Sequence, residues 1–348
     1  MRANRRCERT GRLKVSSRIR LGLRRRRWYY RAIRKRRDLR PVVVRKDRIK
    51  KARTVLVCVL RNELVRLPYF LKYYRQMGID HFLFVDNDSA DGSRNYLAEQ
   101  ADCSLWTTGA SYRRSRFGVD WVNWLGRRYC CGRWMLCVDV DEFFVYPFCD
   151  ARPIQALTDW LDGSRIRSFG TMMLDMYPKG PVSGTPYEAG RDPIDIASWF
   201  DAGNYTIARN WLYSSLWIQG GPRARMYFTD APAKAPALNK VPLVKWRRGT
   251  VFASSTHLVL PRSLNHVFAD RGGEKACGVL LHAKFLDTFA TRAREEASRG
   301  EHYAAAQEYR AYSDSPEAEV DLWCRWSEKY INWRQLEILG LMSKGNWA

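Results

Sequence analysis

The sequence has no apolar run long enough to cross a bilayer. The longest aliphatic stretch in its first half, Val55–Leu60, falls far short of the ~20 residues a spanning helix needs. The N-terminus is basic with no apolar stretch behind it, which argues against a secretory signal. The nine cysteines form no regular framework and include no C-x-x-C pair, so a structural zinc site is not expected. Their plain reading is buried free thiols in a reducing cytoplasm. A glycine-rich phosphate loop is also missing: neither G-x-x-x-x-G-K nor G-x-G-x-x-G follows the first strand-like run. No internal repeat is present.

What the sequence does have is positive charge, unevenly placed. Of 60 Lys and Arg and 36 Asp and Glu, residues 1–53 hold 24 and 3, a charge of +21 out of +24. The remaining 295 residues are nearly balanced. A basic arm on a neutral body does not make the whole chain a nucleic-acid binder. Trp28, Tyr29, Ala32 and Ile33 share one helical face, so a short amphipathic helix fits within the arm. Three roles stay open for it: contact with an anionic membrane surface, contact with nucleic-acid phosphates, or a solvated tail. Like-charge repulsion predicts an arm that is flexible when nothing is bound.

From residue 54 the pattern is strand, helix, strand. Thr54–Leu60 is a continuous β-branched apolar run, suited to a strand buried on both faces. Residues 64–77 have helical spacing, with Pro68 near the start and Gly78 as C-cap. His81–Val85, Cys103–Trp106 and Trp134–Val138 read as further strands, and residues 94–99 and 119–129 as helices. Alternation of this kind predicts a parallel α/β sheet whose strand C-termini share one edge, where ligands bind. Arg61-Asn62-Glu63, Asp86 to Asp91 and Asp139 to Glu142 all fall at strand C-termini. Farther on, a helix is expected over 154–161 and strands over 168–174, 216–218, 224–228, 241–246, 252–260 and 279–282. Residues 177–204 read as a loop, and the chain after Asp287 as mainly helical.

Two carboxylates two residues apart, Asp139 and Asp141, just past a buried strand can present oxygen to Mg²⁺ or Mn²⁺, ions that commonly bridge to substrate phosphates. With no backbone phosphate cradle, phosphate charge would have to be neutralised by metal. Asp86, at the end of the second strand, suits a hydrogen bond to a base or ribose hydroxyl, and Asp88 lies in the same turn-rich loop.

The run "RNELVRLPYFLKYYRQMGIDHFLFVDNDSADGS" (61–93), with "WMLCVDVDEFF" (134–144) about 45 residues later, resembles glycosyltransferase family 2 proteins of the GT-A fold. The bacterial branch whose D-x-D is followed by Glu-Phe is the most similar. The likeness extends through "GGPRAR" (220–225), "LNKVPLVKW" (238–246), "STH" (255–257) and "LLHAKF" (280–285). It covers about residues 54–312.

The resemblance implies a Rossmann-like, mostly parallel sheet flanked by helices over residues 54–285. A C-terminal helical extension would occupy 286–348 and pack on it. It further implies transfer of a sugar from a nucleotide-diphosphate donor to a glycan or lipid-linked acceptor, with Mn²⁺ or Mg²⁺ on the diphosphate. Asp139 and Asp141 match the metal motif. Arg61, Glu63 and Asp86 match the nucleotide pocket. His282 or His257 would add a metal ligand, and Lys284 would meet the diphosphate. Independently of the resemblance, Arg223 and Lys240 supply positive charge to an otherwise balanced body, suited to the diphosphate or to an anionic acceptor. Asp175, Glu188 and Asp192 are the candidates for the acceptor's general base, since no clear E-D base motif is present. The expected location is cytoplasmic, or peripheral on the inner membrane face. The competing readings are a metal-dependent nucleotidyltransferase and a non-enzymatic nucleic-acid binder using the arm.

Overall fold

The computed structural model describes residues 13–269, 274–289 and 320–347. The basic segment contains α1 (Val15–Lys35), β1 (Arg40–Val43) and α2 (Lys46–Lys51). Then come β2 (Thr54–Leu60), α3 (Leu67–Met77), β3 (His81–Asp86), α4 (Ser93–Glu99), β4 (Cys103–Thr107), α5 (Val119–Tyr129) and β5 (Trp134–Cys137). They are followed by β6 (Glu142–Val145), α6 (Ile154–Gly163), β7 (Ser168–Asp175), α7 (Pro193–Ile196), β8 (Trp199–Asp201), β9 (Tyr205–Asn210) and β10 (Ser215–Gly220). The last described elements are α8 (Gly221–Tyr227), β11 (Asn239–Lys245), β12 (Val251–Ser254), β13 (Leu258–Leu260), β14 (Gly278–His282), β15 (Ser327–Lys329) and α9 (Trp333–Ile338).

Nine strands form one sheet in the order β1-β4-β3-β2-β5-β11-β7-β14-β6. β4, β3, β2 and β5 run parallel, as do β7 and β14. β11 is antiparallel to both neighbours, and so are the edge strands β1 and β6. The sheet is therefore mixed rather than mostly parallel, with half of its pairings antiparallel. The result is an α/β fold, compatible with a Rossmann-like one, whose parallel block carries the regular strand–helix alternation.

β2 shows why its sequence is apolar throughout. Leu56, Cys58 and Leu60 pack with Phe70 and Tyr74 of α3 and Leu157 of α6. Val55 and Val57 pack on the other side with Trp121 and Leu125 of α5 and with Trp246. A strand covered on both faces needs no polar side. α3 begins with Pro68 in its first turn and ends at Gly78, whose φ of +97° is the left-handed C-cap conformation that glycine adopts freely.

The basic segment is not a flexible arm over its described part. Leu21, Trp28 and Tyr29 of α1 pack on Val251, Ala253, Leu258 and Leu260 of the β12–β13 hairpin. Arg31 Nε donates to the buried Asp120 carboxylate at 2.6 Å, and the Arg116 guanidinium lies 4.7 Å from the Trp28 ring centre. The Arg45 guanidinium donates to the carbonyls of Ala98, Gln100 and Cys103. β1 then joins the sheet beside β4. Repulsion among the arginines loses because several are taken up by specific acceptors on the body. The boundary at residue 53 consequently divides one folded unit.

Three other expectations change. Residues 224–227 are helical instead of extended, because Gly220 and Gly221 turn the chain at positive φ and Pro222 sits in the first turn of α8. Residues 252–260 are a hairpin, not one strand. The helical expectation after 287 lies partly outside the described residues. Within 320–347 there is only short α9, with β15 pairing β8 and Trp347 packing near Tyr146 and Trp160. Among the described residues no helix is long and apolar enough to cross a membrane.

Candidate active site

A cavity of about 860 Å³ opens at the C-terminal edge of the parallel strands. Arg61, Glu63 and Arg66 line it from the loop after β2, Asn87 from the loop after β3, and Asp139, Asp141 and Glu142 from the turn after β5. Its far wall carries Trp217 and Gln219 of β10, Arg223 of α8, His257, and His282 with Lys284 at the end of β14.

The D-x-D turn is anchored from within. Val140 is buried between the two aspartates, and the Asp139 N–H donates to Glu142 Oε2 at 3.2 Å. Glu142 and Lys240 form a buried ion pair, and the Lys240 ammonium also lies 3.6 Å from Asp139 Oδ2. Asp139 is open toward the cavity, with 58% of its side chain exposed, but protein encloses it on the other sides. That enclosure, and then the Glu142 charge, push its carboxyl up to about 6.

Asp141 behaves oppositely. Burial would raise it, but the His282 ring, Lys284 and Lys240 together hold it down at about 2. His282 Nε2 lies 3.5 Å from Asp141 Oδ2, and its Nδ1 lies 2.7 Å from Asp175 Oδ1. Burial opposes the charged imidazole, but Asp141 and then Asp175 outweigh it and raise the ring to about 9. Asp175 is itself fixed by Arg223, whose Nε donates to Oδ2 at 2.7 Å. The register makes this arrangement: His282 is the direct partner of Asp175 on β7 and of Glu142 on β6.

An imidazole with one carboxylate behind it and another before it is how a metal-ligating histidine is oriented. The donor chemistry of Asp139, Asp141 and His282 therefore suits a hard divalent cation. Among the described residues no group of three or more His, Cys, Asp and Glu side chains is disposed to hold a metal unaided. Such a cation would complete its shell with oxygens from water or a bound phosphate, a common arrangement for Mg²⁺.

Not every expected residue reaches the cavity. Asp175 is buried in its pairs with Arg223 and His282, which keep its carboxyl low, so it positions His282 and is not an available base. Asp192 caps α7 and accepts from the Tyr69 hydroxyl, while Glu188 is exposed; neither lines the cavity. Asp86 is buried and accepts from Ser89 N, Arg94 and Thr107, which shapes its loop instead of reaching a ligand. Asp88 faces solvent at 3.9 Å from Arg61. Lys240 and Arg223 reach the wall but are buried in ion pairs with Glu142 and Asp175, so they steady carboxylates. His257 lines the cavity with Nδ1 on the Asn239 carbonyl at 2.7 Å, whereas His282 is the histidine set between Asp141 and Asp175.

Arg66, Asn87, Tyr112 and Arg116 are cavity residues that the sequence reading passed over. Arg66 stands three residues after Glu63 and pairs with it at 3.3 Å, a spacing that carried a usable signal. Arg116 gave no such signal. It and Phe117 adopt left-handed φ of 57° and 59°, and its Nη2 donates to the carbonyls of Phe252 and Ala253.

No protein-family model matches this sequence, and no curated protein matches it significantly. Among solved structures, the mannosyltransferase PcManGT from Pyrobaculum calidifontis, in complex with GDP-Man and Mn²⁺, is similar at 17% identity with a TM-score of 0.26. The similarity covers 47% of this chain and 46% of that chain, so this chain spans less than half of that protein's length.

Proposed function

We propose that this protein is a glycosyltransferase that takes a sugar from a nucleoside-diphosphate donor with the help of Mn²⁺ or Mg²⁺. The observation that carries the reading is the Asp141–His282–Asp175 array beside Lys284 at the floor of a large cavity on the ligand-binding edge of the sheet. Asp139, Asp141 and His282 would hold the cation, which would neutralise charge on the diphosphate. Lys284 would stabilise the negative charge that grows on the phosphate oxygens as the sugar departs. Arg61, Glu63 and Asn87, on the loops after β2 and β3, are placed to bind the nucleoside end. The acceptor on this reading is a saccharide or a lipid-linked glycan.

The test is release of nucleoside diphosphate by the full chain from a panel of nucleotide sugars, with Mn²⁺, with Mg²⁺ and with chelator. Activity is expected with metal only, and Asp141→Asn and His282→Asn should each lower it by roughly 100-fold or more, as losses of electrostatic stabilisation do. Release of pyrophosphate would mean nucleotidyl transfer instead. Full activity in both variants would remove the metal assignment.

A further inference from the structure

The described surface carries one strongly amphipathic feature that the proposed chemistry leaves unused. At roughly 100° per residue, Val15, Ile19, Leu23 and Tyr30 of α1 fall within a sector of about 80°. All four are exposed, between 58% and 70%. The sector lies opposite Leu21 and Ala32, the residues that bury α1 against the body. Arg20, Arg27 and Arg34 flank it on one side, Arg26 lies along it, and all four are exposed. α1 contains no acidic residue.

We propose that this outer face of α1 docks on an anionic lipid bilayer. An apolar stripe edged with arginine suits the boundary between head groups and acyl chains, where the stripe enters and the guanidinium groups meet lipid phosphates. Nucleic acid is the poorer fit, because four bulky apolar side chains would occupy the centre of a phosphate-binding face and gain nothing there. A second copy is also disfavoured: a two-fold pairing of this helix would set arginine against arginine with no acid to offset it.

The location gives the docking a purpose. The inner face of α1 packs on β12, whose Ala253 and Ser254 line the cavity, and Arg116 reaches from the cavity wall to the Trp28 ring. Docked on a bilayer, α1 would hold the cavity beside the surface, within reach of a membrane-borne acceptor. That last step rests on the glycosyltransferase reading. The docking itself does not, and it is measured without substrate.

The experiment is co-sedimentation of the full chain with vesicles of phosphatidylcholine, with and without phosphatidylglycerol. Two double variants accompany it. Ile19→Ser with Leu23→Ser keeps every charge, and Arg20→Gln with Arg27→Gln keeps the stripe. All four positions are exposed, and a melting temperature checks the fold. Wild type should bind only the phosphatidylglycerol vesicles, less so in high salt, and each double variant should lower partitioning by roughly tenfold or more. Lack of wild-type binding, or undiminished binding by the serine variant, would overturn the proposal. So would a wild-type dimer that the serine variant converts to monomer, or tight duplex-DNA binding that the serine variant retains.

Discussion

His282 and Asp175 face each other across the β7–β14 pairing, with the imidazole Nδ1 2.7 Å from the carboxylate. The contact is built into the sheet, because the strand register sets the two residues side by side. Asp175 also neutralises the buried Arg223. Asp175→Asn should therefore destabilise by about 3–5 kcal/mol, the usual result of stripping one partner from a buried pair. Asp141→Asn, at the open side of the same imidazole, should cost far less. Urea unfolding of the two variants separates the buried carboxylate from the cavity-facing one.

The Glu142–Lys240 pair makes a second prediction. Both side chains are buried, and together they hold the turn that carries Asp139. Lys240→Met should cost about 3–5 kcal/mol, because it leaves the buried Glu142 charge without its partner, and Glu142→Gln should cost less, because Lys240 keeps Asp139 at 3.6 Å. The double variant should cost clearly less than the sum, and a double-mutant cycle in urea measures the difference.

Gly220 has a φ of +143°, and a Cβ there would overlap the Asn204 carbonyl oxygen. Gly220→Ala should cost about 2–4 kcal/mol, a magnitude typical of enforced backbone strain plus overlap. It should also move α8, which carries Arg223 onto Asp175 and Arg225 onto Asp201. A thermal melt gives the first effect. On the proposed function, weakened nucleotide-sugar turnover beyond the loss of folded protein gives the second.

Stability should fall on mild acidification because of His81. Its Nε2 lies 2.9 Å from the Ser104 hydroxyl, and burial holds the ring down at about 4. The unfolded chain takes up this proton as pH falls through about 6.5, whereas the folded chain takes it up only near pH 4. The stability is thus fully present above about pH 6.5 and lost between there and pH 4, on the order of 2–3 kcal/mol in all. The raised Asp139 carboxyl pulls the other way over the lower part of that range, so the His81 share is the difference in urea midpoints between wild type and His81→Gln, which should widen from pH 4 to pH 6.5.

Removing residues 1–53 should not leave an independently stable body. Asp120 would lose Arg31, and Val251, Ala253, Leu258 and Leu260 would lose their apolar cover. The truncated chain should melt well below the full chain or fail to stay in solution. A truncated chain with the full-length melting temperature would show that α1 and β1 add nothing to the fold.

The parallel block was legible because β2, β3 and β4 are each followed by a helix, and the acidic clusters at the strand ends marked the cavity edge. The D-x-D turn stood out by residue type and position, whereas His282 entered only through the family resemblance and alongside His257. The antiparallel strands were harder. β6 directly follows the D-x-D turn, and β1 hides among arginines whose charge invites a reading of disorder. What the charges bind is a tertiary fact: Arg31 and Arg45 are satisfied by groups far along the chain. Asp86 reads in sequence as a nucleotide contact and Asp175 as a candidate base for the opposite reason, since a buried carboxylate that organises its own surroundings has the same sequence signature as one that faces a substrate.

Both borders of the nine-stranded sheet are four-residue strands, β1 and β6. β1 has Pro41 within it and Arg40 at its start. A short border with a proline and a charge is a poor template for further strand pairing. Behind it stands β4, all of whose residues but the last are buried. The basic segment therefore also acts as a stopper, closing a broad apolar sheet against self-association in the crowded cell.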